Sequence, residues 1–143
     1  MVIKIKFQKL YEDAQLPIYA HPGDAGLDLY SYETVVIEPG QRHAVSLGFA
    51  LEIPEGYVSR ILDRSGMALK FGMHCLAGVV DSGYRGEYKA IMINHGHEPY
   101  SIEKGDRVAQ LLIQPVVIAE IEEVKNLSET VRGEGGFGGS GKK

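Results

Sequence analysis

Residues 77–87 read Ala-Gly-Val-Val-Asp-Ser-Gly-Tyr-Arg-Gly-Glu, and a strand-like run follows from Tyr88 to Asn94. This pattern predicts a β-hairpin whose tip carries one carboxylate, Asp81, and one aromatic ring, Tyr84. The glycines at 78, 83 and 86 indicate positive φ angles or another group close to the backbone. A nucleobase or sugar would fit there, with Asp81 beside it as a general base. An ordinary hairpin with an Asp-Ser-Gly turn and a surface tyrosine explains the residues equally well.

Length and composition limit the class of protein. A chain of 143 residues is long enough for one domain with a buried core. Its single cysteine, Cys75, excludes an intrachain disulfide, so we expect a reducing compartment, the cytoplasm. No apolar run approaches the roughly 20 residues of a membrane span, and we expect no membrane partner. The net charge of −4 disfavours polymeric DNA or RNA, although local arginines and backbone N–H groups can still bind a small anion.

Short strand-like runs separated by Gly and Pro turns make up most of the chain. The first run, Val2 to Phe7, alternates and places Ile3, Ile5 and Phe7 on one face. Further strand-like runs cover residues 32–37, 43–53, 57–62 and 108–124, whereas 11–28 lacks periodicity and is predicted to be a loop. This pattern predicts an all-β sandwich or barrel of jelly-roll type.

Two segments differ from this β pattern. Residues 65–70 are the one convincing helical stretch, with Ser65 as the candidate N-cap and Gly72 as the stop. Residues 132–143 contain six glycines and no packing pattern, which predicts a mobile tail. We therefore expect a β domain over residues 1–131 and a flexible C-terminal arm over residues 132–143.

Three more segments carry candidate chemistry. Asp28, between apolar residues after a glycine, is a candidate carboxylate near a divalent cation or an acceptor of loop N–H bonds. At Arg64-Ser65-Gly66 a guanidinium, a hydroxyl and free helix N–H groups converge, which suits phosphate but also fits a simple N-cap. In Gly105–Gln110, Asp106 and Arg107 can pair locally, while Gln110 can donate to a phosphate or to neighbouring backbone.

The C-terminal tail resembles a phosphate-binding motif of ATPases. Residues 136–143 nearly fit the Walker pattern, with Lys143 where Ser or Thr belongs, but that pattern works only between a strand and a helix. We therefore reject an ATPase. Arg132 and the glycine run can nevertheless fold over phosphates, and Phe137 can then lie over a base. His95, His97 and the His74–Cys75 pair lack a full ligand set for zinc.

Together these segments resemble the trimeric deoxyuridine triphosphatase (dUTPase) family in residues, order and spacing. The matching stretches are Ala-Gly-Leu-Asp-Leu at 25–29, Arg-Ser-Gly at 64–66, Gly-Val-Val-Asp-Ser-Gly-Tyr-Arg-Gly at 78–86, Gly-Asp-Arg-Val-Ala-Gln at 105–110, and Arg-Gly-Glu-Gly-Gly-Phe-Gly at 132–138. The resemblance implies a jelly-roll-like β-clip and a homotrimer with three active sites at subunit interfaces. Each site would be built from three chains, the arm of one closing over a pocket formed by the other two.

The chemistry that the resemblance implies is hydrolysis of dUTP to dUMP and pyrophosphate, which limits uracil in DNA and supplies dUMP for dTMP synthesis. Asp81 would be the general base, and Mg²⁺ would chelate the phosphates while Asp28 holds its water shell. Tyr84 would stack under the deoxyribose. The other implied substrate-binding residues are Arg64, Ser65, Gly66 and Gln110 for the phosphates, Cys75, Val79, Val80 and Lys89 for uracil, and Arg132, Phe137, Gly138 and Ser140 from the arm.

The sequence departs from the family pattern at three places. Gly139 stands where the arm often has a second hydroxyl, and Cys75 stands where many bacterial members have asparagine. Asp63 precedes Arg64 where proline is common, and we expect it to pair with Arg64 or Arg60.

Two rival functions share this pattern. The related dCTP deaminase has a catalytic glutamate in the strand after the hairpin, and the aligned residue here is Ile91. Without an acid there, deamination is disfavoured. A non-catalytic nucleotide-binding member is disfavoured by Asp81 and by the complete arm.

Overall fold

The computed structural model describes residues 2–140, which form an all-β, jelly-roll-like fold with one short helix. The strands are β1 (Lys6–Lys9), β2 (Ile18–Tyr19), β3 (Leu27–Tyr30), β4 (Val35–Ile37), β5 (Arg42–Ser46), β6 (Phe49–Glu52), β7 (Tyr57–Leu62), β8 (Met73–Leu76), β9 (Val79–Asp81), β10 (Lys89–Asn94), β11 (Tyr100–Ile102) and β12 (Arg107–Pro115). The helix, α1, spans Ser65–Phe71. Within the described range no helix is long and apolar enough to cross a membrane.

The strands pair antiparallel in four small sheets. A five-stranded sheet has the order β2-β3-β12-β7-β9, and a three-stranded sheet has the order β5-β10-β8. Two further pairs are β1 with β6 and β4 with β11. The polypeptide passes from the five-stranded to the three-stranded sheet through α1, because β7 precedes the helix and β8 follows it.

Apolar side chains from the sheets meet in one core. Phe49 is one of its buried residues, and its ring is 5.1 Å from that of Phe7 and 5.5 Å from that of Tyr88. Tyr88 is buried, but its hydroxyl is satisfied by Ser59 Oγ at 2.9 Å. Because a buried hydroxyl without a partner is costly, this pair fixes how the start of β10 packs on β7.

Several sequence predictions about the fold are confirmed, and others need correction. Ile3, Ile5 and Phe7 are half-buried while their neighbours are exposed, as the alternation predicted, but β1 begins only at Lys6. The predicted loop 11–28 contains β2 and the start of β3. The predicted run 108–124 ends as a strand at Pro115, and residues 116–131 form neither helix nor strand within the chain.

The predicted helix is present, but its first residue was misassigned. Arg64 is the N-cap, with extended backbone angles, whereas Ser65 is already helical and no side chain caps the helix. Gly72 ends it as predicted, with a φ of 68° and its N–H bonded to the oxygens of Met67 and Ala68. A side chain at 72 would collide with the backbone of Gly96, so glycine is required there.

Candidate active site

The hairpin that carries Asp81 is held on β7. In the register Asp81 faces Val58 and Val80 faces Ser59, and the Ile61 N–H donates to Gly78 O at 2.8 Å. Gly78 has a φ of 98°, and a Cβ there would collide with the Ile61 carbonyl oxygen. The base of the hairpin therefore touches β7 directly, and the position of Asp81 is set by the main sheet.

The tip of the hairpin is fixed by its own contacts. The Tyr84 N–H donates to Asp81 O at 3.1 Å, and the Tyr84 hydroxyl donates to Glu87 O at 3.1 Å. A Cβ at Gly86 would collide with the Tyr84 hydroxyl, which explains that glycine. Gly83 has no positive φ and no close neighbour, so the prediction of a backbone requirement there is wrong.

The hairpin forms one wall of a cleft of about 550 Å³, which we call the hairpin cleft. Besides the charged side chains of Asp81, Glu87 and Lys89, it presents mainly apolar and aromatic surface. Its lining residues are Ala44, Val79, Val80, Asp81, Tyr84, Glu87, Tyr88, Lys89 and Ile91. The structure thus brings together the predicted base, the predicted sugar-stacking ring and three residues predicted to face uracil.

Glu87 is the second carboxylate of the hairpin cleft, and the sequence analysis did not assign it a role. Its Oε1 accepts hydrogen bonds from the Ser46 hydroxyl and, at 3.3 Å, from the Gly48 N–H. Its Oε2 lies 3.6 Å from Lys89 Nζ. These contacts occupy Glu87, whereas the Asp81 carboxylate makes no side-chain hydrogen bond or ion pair within residues 2–140. Ile91 contributes only apolar surface here.

A second cleft, of about 770 Å³, lies at the N-terminal end of α1, and we call it the arginine cleft. It brings together five of the predicted residues: Asp28, Arg64, Ser65, Gly66 and Gln110. Arg107, Lys70 and Asp106 also line it. Three cationic and two acidic side chains therefore leave an excess of one positive charge, despite the net negative charge of the whole chain.

Asp28 lies between two guanidinium groups. Its Oδ1 is 3.5 Å from Arg64 Nε, and its Oδ2 is 3.2 Å from Arg107 Nε. Arg64 Nη1 also donates to the carbonyl of Arg107 at 3.1 Å. The prediction of a local Asp106–Arg107 pair is therefore wrong, because Arg107 pairs across the sheet and Asp106 accepts from the Glu103 N–H instead.

The Gln110 side chain donates to neighbouring backbone, which is the second of the two roles predicted for it. Its Nε2 donates to the backbone carbonyl of Asp63 at 2.7 Å. Gly26 packs so closely on Gln110 that a Cβ at 26 would collide with the amide oxygen. The Gln110 amide is therefore wedged between the 25–29 segment and the residue before Arg64.

Asp63 does not pair with Arg60 or Arg64 as predicted. Its carboxylate contacts His74 Nδ1 at 2.7 Å and accepts from the Cys75 N–H. Burial alone would raise the pKa of Asp63, but these two hydrogen bonds outweigh it and hold the pKa below its usual value.

Cys75 presents no thiol to either cleft. Its side chain is 7% exposed, and its Sγ lies 3.2 Å from the sulfur of Met92. Burial raises the pKa of this thiol to about 12. We therefore assign no nucleotide contact to the Cys75 side chain.

The arm residues lie outside both clefts of their own chain. Arg132 Nε donates to Gly135 O at 2.7 Å, and Phe137 is fully exposed with a φ of 48°. Gly138 and Ser140 are exposed as well, and residues 141–143, where the predicted arm ends, lie outside the described residues. The preceding stretch, 116–131, is also exposed throughout.

The described side chains could hold a magnesium ion only together with water molecules and substrate phosphates. Among residues 2–140 there is no cluster of three or more His, Cys, Asp or Glu side chains that could hold a metal alone. Mg²⁺ usually keeps several waters and binds one or two carboxylates together with substrate phosphates. Asp28, at the edge of a cationic cleft, fits that arrangement as a single carboxylate.

Comparisons with known proteins identify the same family over nearly the whole chain. A family model described as dUTPase matches residues 12–141. The deoxyuridine 5'-triphosphate nucleotidohydrolase of Clostridium tetani is 49% identical over 140 residues, which are 96% of this chain and 97% of that protein. The protein of the same name from Nautilia profundicola is 49% identical over 142 residues, or 98% of this chain and 100% of that one.

Solved structures give the same result. The dUTPase of Staphylococcus bacteriophage 80alpha, determined with dUPNHPP, superposes with a TM-score of 0.92 at 32% identity, covering 98% of this chain and 99% of that one. A mutant dUTPase from phage phi11 of S. aureus, described with a structural Mg(II) ion, gives a TM-score of 0.81 at 30% identity. That match covers 87% of this chain and 98% of the phage chain.

Proposed function

This chain belongs to the dUTPase family and is a dUTP diphosphatase, and from that premise we propose that Asp81 is the general base that activates the attacking water. The observation that carries the proposal is the hairpin cleft, where the Asp81 carboxylate pairs with no other side chain of residues 2–140 and shares a fixed tip with Tyr84. The carboxylate can therefore accept a proton from water without first breaking another contact.

The proposed reaction is an in-line displacement at the α-phosphorus of dUTP. As the oxygen of the water bonds to that phosphorus, its proton passes to the Asp81 carboxylate. The bond from the α-phosphorus to the α–β bridging oxygen breaks, and pyrophosphate leaves with the bonding electrons. Because little covalent chemistry falls to the protein in such a step, positioning and charge stabilisation supply much of the rate.

The hairpin cleft is proposed to select the nucleoside. Tyr84, tied by its hydroxyl to Glu87 O, would present a fixed ring face under the deoxyribose, where a ribose 2′-OH would collide. The backbone of Val79 and Val80, together with the strand at Lys89, would read the uracil edge. Exclusion by rigid groups rejects an added hydroxyl more strongly than a loose apolar pocket does.

The arginine cleft is proposed to bind the phosphates. Arg64, Ser65 and Gly66 would supply a guanidinium, a hydroxyl and backbone N–H groups, and the remaining N–H of the Gln110 amide would add a donor. Asp28 would hold the water shell of a Mg²⁺ ion, which when bound neutralises phosphate charge.

We propose a homotrimer with shared active sites, because the predicted site residues of one chain lie in separate places. The hairpin cleft and the arginine cleft are lined by different residues, and the described arm residues line neither. A site built from the hairpin of one chain, the arginine cleft of a second and the arm of a third would unite them. Arg132, Phe137, Gly138 and Ser140 would then close over the bound nucleotide.

The proposed physiological role follows from the reaction. Removal of dUTP limits uracil in DNA, and the dUMP formed is a precursor for dTMP. A buried, unpaired Cys75 fits a reducing compartment such as the cytoplasm.

Pyrophosphate release from dUTP, dCTP, dTTP and UTP, each with and without Mg²⁺, tests the function. We expect turnover of dUTP with Mg²⁺, and the Asp81→Asn variant should lose about 10²-fold or more in kcat. That variant should still bind dUTP, because Asn preserves the size of the side chain. Ammonia release from dCTP would favour the deaminase, and tight dUTP binding without turnover would favour a binding protein.

A further inference from the structure

Asp63 lies between the two sheets, in the link between β7 and α1. It follows the last residue of β7 and immediately precedes Arg64, the N-cap of α1. It lines neither cleft. Its side chain is half-buried and its pKa lies below the usual value, so it is ionised at neutral pH.

Three hydrogen bonds converge on this one residue from two other strands. The carboxylate contacts His74 Nδ1 at 2.7 Å and accepts from the Cys75 N–H, both on β8. The backbone carbonyl accepts from Gln110 Nε2 on β12 at 2.7 Å. Because β8 is at the edge of its three-stranded sheet in this chain, the carboxylate caps an N–H group at that edge.

These contacts restrain the direction in which the chain enters α1. Arg64 Nε lies 3.5 Å from Asp28, and its Nη1 donates to the carbonyl of Arg107. Gln110, the next predicted phosphate ligand, is held by Asp63 O. The peptide between Asp63 and Arg64 is thus anchored on its N-terminal side by His74 and Cys75, and on its C-terminal side by the arginine cleft.

We propose that the Asp63–His74 pair is a positioning device for the arginine cleft, a latch that holds Arg64 and Gln110 in the arrangement that binds the β- and γ-phosphates. This inference rests on the proposed phosphate-binding role of that cleft. A guanidinium that is held in place loses less conformational entropy on binding than a free one. The latch therefore acts on triphosphate affinity and leaves nucleoside recognition in the hairpin cleft unchanged.

Asp63→Ala and Asp63→Asn form the first test. Alanine removes both carboxylate contacts but keeps the carbonyl bond to Gln110, whereas Asn keeps an acceptor for the Cys75 N–H. We expect Asp63→Ala to raise the KM for dUTP about tenfold, as for loss of a charged hydrogen bond, with the inhibition constant for dUMP within about twofold of wild type. Asp63→Asn should recover most of the affinity.

His74 gives an independent test if Asp63→Ala does not fold. His74→Phe keeps an aromatic ring but removes both ring nitrogens, while His74→Asn places an amide N–H near the position of Nδ1. We expect the KM for dUTP to rise in the Phe variant and to be restored by Asn. The double variant Asp63→Ala/His74→Phe should be no worse than either single variant.

Asp13→Ala is the matched control, because Asp13 is also ion-paired, with Lys104 at 2.6 Å, but lines neither cleft. Its kinetic constants should equal those of wild type. Equal losses of dUTP and dUMP affinity in the Asp63 and His74 variants, or lowered melting temperature with unchanged KM, would overturn the latch. Failure of wild-type turnover, or full activity of Asp81→Asn, would instead overturn the proposed function.

Discussion

Residues 2–115 contain all the buried apolar side chains of the core, whereas residues 116–140 bury none. In the first region Leu29, Ile102 and Leu111 are completely buried. In the second, Val117 is 97% exposed and Leu127 is 87% exposed. Because burial of such a side chain stabilises by about 1.5–3 kcal/mol, the second region carries apolar surface that its own chain does not use. The contrast shows that residues 2–115 hold the buried core, and it supports the proposal that residues 116–140 gain their contacts from another chain.

Deletion of residues 132–143 should produce the largest effect. We expect turnover of dUTP to fall by about 10²-fold or more, because the arm as proposed would complete the phosphate site and exclude water. The sedimentation coefficient should still correspond to a trimer, since residues 116–131 remain. Undiminished activity would show that the active site is complete without the arm.

Mixing two inactive variants tests whether the two regions of one site come from different chains. Asp81→Asn has an intact arm, and the deletion variant has an intact Asp81. After random reassembly at equal amounts, about a quarter of the sites should combine a working base with a working arm, if these come from different subunits. The readout is pyrophosphate release after denaturation and joint refolding. No recovery in mixed trimers, with each variant refolded alone as the control, would mean that each arm serves its own chain.

Tyr84→Ala examines a function that should belong to the first region alone. Loss of the ring would remove the group that we propose collides with a 2′-OH, so the ratio of kcat/KM for dUTP to that for UTP should fall by roughly tenfold or more. Tyr84→Phe keeps the ring and loses only the bond to Glu87 O, and it should retain most discrimination. An unchanged ratio in the alanine variant would refute the role of Tyr84.

The smallest effect should be seen at Cys75, inside the first region. Its thiol has a pKa raised to about 12 by burial, so at pH 8 it is protonated and enclosed. Native protein should therefore show almost no labelling by iodoacetamide over an hour, measured by mass spectrometry. Labelling in guanidinium chloride is the positive control, and rapid labelling of the native protein would contradict the buried position.

The sequence predicted local features better than the contacts between distant segments. The turn at Gly72 and the alternation of Ile3, Ile5 and Phe7 were predictable, because each depends on neighbours in the chain. The partners of Asp63 were not, since His74 is eleven positions away and is brought close only by the turn through α1. The end of β12 was also missed, because β-branched residues continue well past Pro115.

In the candidate site, too, local features were easier to predict than contacts between distant segments. The hairpin and arginine clefts each unite residues that the motifs named, because each cleft is built by strand ends that the motifs occupy. The pairing of Arg107 with Asp28 depends on the register between β12 and β3, which no local pattern specifies. The roles assigned to the individual site residues stay predictions until the variants are measured.

The position of Asp28 between Arg64 and Arg107 has a consequence for the order in which ligands arrive. With its charge already balanced by two guanidinium groups, this carboxylate offers a bare divalent ion little attraction. A triphosphate bound in the arginine cleft as proposed would compete for these two guanidinium groups and release the Asp28 carboxylate. We therefore expect Mg²⁺ to bind together with the nucleotide. Calorimetric titration with Mg²⁺ alone should then show no heat of binding.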